Sequence, residues 1–240
     1  MRKILLATTL LLGASGYAAA ADLYIDPIPV TQTVYDWSGF YGGVFAGYGW
    51  GESTFVDNDF YNLGGEEFDL NSKGGLGGVT VGYNVQRGSI VFGLEGELGY
   101  LGLDGSVAQP SSPEDSFASI NGGIYATLAG RLGIALDRAL IYAKGGVAVT
   151  GANGKFDDDC DVGACGGGLL NASSSGSMVG YTIGGGIEYA LSEQWSAKLE
   201  YAYLNFGDAT ASGVAAGGGT FTYGYDLSAH TVKLGLNYKF

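Results

Sequence analysis

The chain has 240 residues, a formal net charge of −13, 45 glycines, 17 tyrosines and only 4 prolines. The acidic balance excludes a nucleic-acid binder, which needs the opposite sign, and the scarcity of proline argues against a disordered Pro-rich linker. No segment after the N-terminus holds about eighteen uninterrupted apolar residues, so no transmembrane helix is expected.

Arg2 and Lys3 form a short positive region, Ile4 to Leu12 an apolar run, and Gly13 to Ala21 supply small residues with Ala-x-Ala sites. This predicts a cleaved secretory signal over residues 1–20, with cleavage after Ala20 or, as the alternative, after Ala21. Residues 21–36, with Pro27 and Pro29, read as a short irregular periplasmic segment, and 37–240 as one β domain.

The first strand, about Ser38 to Trp50, is rich in glycine and aromatics, and its facing is ambiguous. Either Phe40, Val44 and Tyr48 or Tyr41 and Phe45 form the outward set. Later strands alternate cleanly. Val79, Val81, Tyr83 and Val85 oppose Thr80, Gly82 and Asn84, and Phe92, Leu94, Leu98 and Tyr100 oppose Glu95, Glu97 and Gly99. Ile124, Ala126, Leu128 and Leu132 oppose Tyr125, Thr127, Ala129 and Arg131, and Ile141, Ala143, Val147 and Val149 oppose Tyr142, Lys144, Gly146 and Ala148. Tyr181, Ile183, Ile187 and Tyr189 oppose Thr182, Gly184, Gly186 and Glu188, and Ala197, Leu199, Tyr201 and Tyr203 oppose Lys198, Glu200 and Ala202. The last strand sets Val232, Leu234, Leu236, Tyr238 and Phe240 against Thr231, Lys233, Gly235, Asn237 and Lys239.

A strict period of two gives one apolar and one polar surface. A strand whose apolar face meets lipid and whose polar face meets a lumen has this pattern. The connections alternate long and short: 51–73, 86–89, 104–118, 135–139, 151–176, 191–195 and 207–226. Short turns on the periplasmic side and long outer loops are the habit of outer-membrane barrels. The prediction is an all-β, eight-stranded antiparallel up-and-down transmembrane β-barrel in a Gram-negative outer membrane.

Ionisable groups at membrane depth point inward and pair with one another. The facing puts Glu95, Glu97, Glu188 and Glu200 in the lumen with Arg131, Lys144, Lys198 and Lys233, and Lys239 in the lumen or at its periplasmic rim. An eight-stranded interior is just wide enough for side chains to fill, so a salt-bridged plug is expected, with a small gated pore as the alternative.

Negative charge collects in the long connections. Glu52, Asp57, Asp59, Glu66, Glu67 and Asp69 face only Lys73, and Asp157, Asp158, Asp159 and Asp161 face Lys155. Solvated loops account for this; bridging by calcium or magnesium to lipopolysaccharide, or capture of cationic ligands, is the sharper reading. The Asp157–Asp161 run lacks the spacing and terminal Glu of an EF-hand. Cys160 and Cys165 are the only cysteines, and export favours a disulfide closing a small loop. Two thiolates with the neighbouring aspartates are the metal-site alternative. No cofactor is expected.

Asp36-Trp-Ser-Gly-Phe-Tyr-Gly-Gly43, Val81-Gly-Tyr-Asn84, Tyr142-Ala-Lys-Gly-Gly146 and the closing Leu236-Asn-Tyr-Lys-Phe240, with the Ala20-Ala-Asp22 start, resemble the RopB-type family of alphaproteobacterial outer-membrane proteins. That family is a branch of the small OmpA-like barrels. The resemblance spans essentially the whole chain. It implies an abundant envelope protein associated with outer-membrane lipid and lipopolysaccharide and, in pathogens or symbionts, with host surface molecules. Some relatives are porin-like or haem-binding. By resemblance to outer-membrane barrels generally, the barrel-assembly machinery reads the end of the chain at Tyr238 and Phe240.

The enzyme alternative is a lipid A-modifying barrel. His230, the only histidine, lies two residues after Ser228 on the same face, but no carboxylate is placed to orient the pair. Haem capture would draw on His230 or the loop tyrosines Tyr61, Tyr223 and Tyr225. Gly184-Gly-Gly186 lies within a strand pattern and precedes no helix, so it is not a phosphate loop.

Overall fold

The structure is a computed structural model that describes residues 35–59, 65–159, 169–174 and 176–240. The signal segment 1–20, most of 21–36, Tyr61, Cys160, Asp161 and Cys165 lie outside the described residues.

Twelve strands are present among the described residues: β1 (Gly39–Asp57), β2 (Glu67–Arg87), β3 (Ile90–Leu101), β4 (Gly105–Ala108), β5 (Ser116–Asn121), β6 (Gly123–Leu136), β7 (Ala139–Thr150), β8 (Asn153–Asp158), β9 (Leu170–Ser173), β10 (Met178–Ala190), β11 (Trp195–Val214) and β12 (Thr220–Lys239). Eight of them, β1, β2, β3, β6, β7, β10, β11 and β12, pair antiparallel in a closed ring. Closure places Val44 opposite Leu236 and Trp50 opposite His230, so the first and last long strands leave no edge in this ring. The fold is an eight-stranded outer-membrane-type β-barrel.

At one end the strands join through tight turns. The β2–β3 and β6–β7 turns take left-handed backbone at Gly88 (φ +61°) and Asp137 (φ +51°), residue types that tolerate it. At the other end the long connections are not the loops expected from sequence. β1 and β2 continue to Asp57 and from Glu67, β11 and β12 extend through Val214 and from Thr220, and β4, β5, β8 and β9 carry the neighbouring strands upward.

The cause is a reversal of polarity along the strands that run on past the apolar belt, seen in β1 and β2. Along β1, Phe40, Val44, Tyr48 and Trp50 point outward, followed on that face by Glu52 and Thr54, while Tyr41, Phe45, Ser53, Phe55 and Asp57 point inward. Along β2, Phe68 and Leu70 are buried and Asp69 and Asn71 exposed, whereas further along Val79, Val81 and Tyr83 are exposed and Thr80 buried. Lipid-type patterning thus gives way to water-type patterning on the same strand. In β11 a bulge between Asn205 and Asp208, with Gly207 at φ +68°, resets the facing.

The strand-one ambiguity resolves with Tyr41 and Phe45 inside. The exposed belt of valine, leucine, isoleucine and phenylalanine would be untenable in water and is suited to hydrocarbon.

Candidate functional site

The interior is filled in three layers, which can be followed along single strands. β3 presents Val91, then Glu95 and Glu97, then Leu101 inward; β7 presents Leu140 and Tyr142, then Lys144, then Ala148. At the short-turn end Val91, Ala135, Leu140, Tyr142 and Ala190 pack with Tyr35 and Trp37 of the segment preceding β1. At the other end a larger apolar cluster is built on Phe55, Phe68, Leu70, Phe156, Tyr223 and Leu227. Phe156 stacks on Tyr223 with ring centroids 3.8 Å apart.

The eight lumen charges inferred from facing come together between these layers, all buried. Lys144 Nζ lies 2.9 Å from Glu95, 2.8 Å from Glu97 and 2.8 Å from Glu200. Lys233 Nζ lies 2.7 Å from Glu97 and 2.7 Å from Glu200, and Lys198 Nζ 3.3 Å from Glu95. Arg131 pairs with Glu188 and lies 3.7 Å from Glu95. Arg131, Lys144, Lys198 and Lys233 balance Glu95, Glu97, Glu188 and Glu200 in formal charge.

Glu95, Glu97 and Glu200 bring carboxylate oxygens within 4.8 Å of one another, a spacing a cation would accept. Three lysine ammonium groups stand at ion-pairing distance from the same oxygens and supply that compensation from the chain itself.

Sequence reasoning did not assign the polar residues that complete the network. Tyr41 Oη donates to Glu95 at 2.8 Å and accepts from Arg131 at 3.2 Å. Tyr142 donates to Glu200 at 2.7 Å, and its ring lies 3.6 Å from the Arg131 guanidinium carbon. Asn237 Nδ2 donates to Glu188 at 2.8 Å, and Ser196 Oγ donates to the same carboxylate oxygen. Tyr142 and Asn237 share the parity of the charges, which is the signal that could have found them. Lys239 lies at the short-turn rim, where Nζ donates to the Asp36 carbonyl and sits 4.5 Å from the Tyr35 ring centroid.

Other candidates separate. Asp157 and Asp158 are consecutive in β8; Asp158 is buried, accepting from Ser116 Oγ at 3.1 Å, whereas Asp157 is half-buried. Successive strand residues face opposite sides, so the described part of that run does not converge on an ion. Asp57 is buried too, and neither it nor Asp158 belongs to a solvated loop surface. Tyr223 and Tyr225 are core residues rather than loop ligands, because the polarity reversal turns them inward. Ser228 Oγ donates to the Glu52 carbonyl at 3.3 Å, while His230 Nδ1 meets Tyr201 Oη at 2.7 Å and its ring stacks on Trp50. No contact joins Ser228 to His230 among the described residues.

On the outside, Tyr48, Trp50, Tyr201, Tyr203 and His230 lie just below a surface carrying Glu52, Asp69, Asp104, Asp208 and Asp226. Tyr238, Trp195, Tyr189 and Phe40 mark the other border of the apolar belt. Two aromatic borders around an aliphatic band are the girdles of a membrane barrel.

The chain is similar to several known proteins. The chain is 30% identical over 251 residues to the 31 kDa outer-membrane immunogenic protein of Brucella melitensis, covering 100% of both chains. It is 31% identical over 204 residues to the 22 kDa outer membrane protein of Rhizobium leguminosarum bv. viciae, covering 85% of this chain and 78% of that one. The solved structure of Ail, the attachment invasion locus protein of Yersinia pestis, aligns at 13% identity with a TM-score of 0.42, covering 85% of this chain and 99% of its own. The family described as outer membrane protein beta-barrel domain matches residues 6–240. The chain belongs to that family, among its alphaproteobacterial members, and is a β-barrel of the Gram-negative outer membrane.

Proposed function

We propose that the protein is a closed structural barrel whose working surface is its outward-facing end. In this reading it supports envelope integrity by associating with lipopolysaccharide and contacts host surface molecules. The observation that carries the reading is the filled interior. Two apolar layers enclose a charge-balanced network, so the chain invests its lumen in cohesion rather than in a path.

The acidic surface above the aromatic border supports a divalent-bridged association with lipid phosphates. Asp208 and Asp226 are directly opposed across β11 and β12, and like charges so placed repel unless a cation intervenes. The name of the Brucella melitensis relative, an outer-membrane immunogenic protein, supports display at the cell surface.

The test is purification from outer membranes, with bound lipopolysaccharide quantified before and after chelation of divalent ions. The reading expects stoichiometric lipopolysaccharide that chelation removes and that Asp208→Asn with Asp226→Asn weakens. Lipopolysaccharide retained unchanged through both treatments would contradict the bridging.

A further inference from the structure

Closure of the barrel lays one row of side chains across the outer face of four neighbouring strands. Lys73 of β2 stands opposite Trp50 of β1, Trp50 opposite His230 of β12, and His230 opposite Tyr203 of β11. Directly paired residues point to the same side of a sheet, so a cation, an indole, an imidazole and a phenol follow one another. The row lies at the aromatic border nearer the long connections, where hydrocarbon gives way to headgroups. The lumen network buries Arg131, Lys144, Lys198 and Lys233, while Arg87, Arg138 and Lys239 lie at the short-turn end and Lys155 in β8. Among the described residues, Lys73 is therefore the lysine or arginine at this border.

The row is equipped for an anion. Tyr201 Oη meets His230 Nδ1 at 2.7 Å, and a phenol donating there keeps the ring proton on Nε2. The imidazole ring is stacked on Trp50, with centroids 5.7 Å apart and planes inclined by 18°. Neighbouring strands are about 4.8 Å apart, so Lys73 and His230 stand roughly 10 Å apart on either side of Trp50. One phosphate and its two donors span that distance. Acids bound the position. Asp104 is bridged to Lys73 on the side away from Trp50, and Glu52 follows Trp50 two residues along the same face of β1. Each repels an anion from its own place and leaves the Trp50 position, between the two donors.

Under Lys73 the belt leaves room for an acyl chain. Gly75 and Gly77 follow Lys73 on the outer face of β2, and a β-carbon on Gly75 would meet nothing within 4 Å. Tyr48 of β1 stands opposite Gly75 and Tyr100 of β3 opposite Gly77. Both tyrosines are exposed, so two phenol rings wall a shallow channel floored by glycine that leads up to Lys73.

We propose that this sector binds one lipopolysaccharide molecule directly. A lipid A phosphate accepts from Lys73 Nζ and His230 Nε2, in charge-assisted bonds, and an acyl chain lies over Gly75 and Gly77. The site rests on the reading that lipopolysaccharide associates with this barrel, and adds to it a contact that needs no divalent ion.

The chain has 1 histidine, so ¹⁵N-histidine labels His230 alone. The barrel is reconstituted in digalactosyldiacylglycerol vesicles, which hold no phosphorus, with diphosphoryl lipid A and a chelator. Dephasing of the ring ¹⁵N signals by ³¹P is then read by solid-state NMR. The proposal expects Nε2 to dephase more strongly than Nδ1, and Lys73→Gln to reduce that dephasing while the ring signals persist. Inorganic phosphate in place of lipid A is expected to give none; dephasing by it would overturn the lipid as the source. Dephasing unchanged in a folded Lys73→Gln barrel would overturn the shared phosphate. Undephased His230 in a barrel that retains lipopolysaccharide on purification would overturn this site and leave the divalent-bridged association standing. Undephased His230 in a barrel that retains none would overturn both.

Discussion

Tyr41 occupies the space that a side chain on Gly82 would need: a β-carbon at position 82 would stand 2.3 Å from Tyr41 Cζ and 2.4 Å from its hydroxyl oxygen. That hydroxyl joins Glu95 to Arg131, so a glycine on β2 sets the position of a network formed by other strands. Gly82→Ala is expected to push Tyr41 off both partners and destabilise the barrel by about 1–3 kcal/mol, the usual cost of overpacking. Denaturant titration of the refolded protein in lipid vesicles reads this. Gly75→Ala, where nothing lies within 4 Å of an added β-carbon, is the control and is expected to leave stability within about 0.5 kcal/mol.

Removing one member of the network leaves its partners charged and buried. Lys233→Met strips the group shared by Glu97 and Glu200 and is expected to cost about 3–5 kcal/mol. Adding Glu97→Gln to that variant removes the surplus negative charge and is expected to recover much of the loss. A double-mutant cycle in the same vesicle titration measures the recovery.

How much of this was legible in the sequence depends on what each residue's neighbours reveal. Leu199 between Lys198 and Glu200 fixes which way the charges turn. Tyr41 gives no such sign, because aromatics occupy both faces of β1 and only closure against β12 separates them. Phe55, Phe68 and Leu70 were hidden because the apolar face changes sides at the membrane border, so an unchanged lipid-type pattern loses the strand there. Tyr35 and Trp37 form too short a stretch for any periodicity. Their burial is a tertiary fact, made by packing on Leu140 and Tyr142.

The polarity reversal makes opposite predictions for outward residues at different heights. Leu128 lies on the outer face of β6 within the lipid belt, and Asn71 on the outer face of β2 beyond it. Leu128→Arg is expected to cost about 2–4 kcal/mol and Asn71→Arg about 0–1 kcal/mol, following the depth dependence of lipid-facing charge. Equal costs would show that the belt ends elsewhere.

Asp36, in the segment before β1, accepts from the Ser38 backbone N–H at 2.9 Å. That bond, the Ser38 side chain and, more weakly, Lys239 hold its carboxyl below the ordinary value of 3.8. A lowered acid contributes stability that is present above its ordinary value and lost as pH falls through the lowered one. Trp37 emission is therefore expected to report loosening of this segment on acidification below about 4, and Asp36→Asn to loosen it at neutral pH. A pH-independent signal in the unmodified protein, with no change in Asp36→Asn, would remove Asp36 from the fastening.

The closed lumen is tested most directly by planar-bilayer recording of the purified barrel, with Lys233→Met and Glu97→Gln as paired variants. The three filled layers predict no steady single-channel conductance from the unmodified protein at any moderate voltage, and at most brief, noisy openings when the charge network is broken. A steady, reproducible conductance from the unmodified monomer would contradict the plug and make the protein a pore.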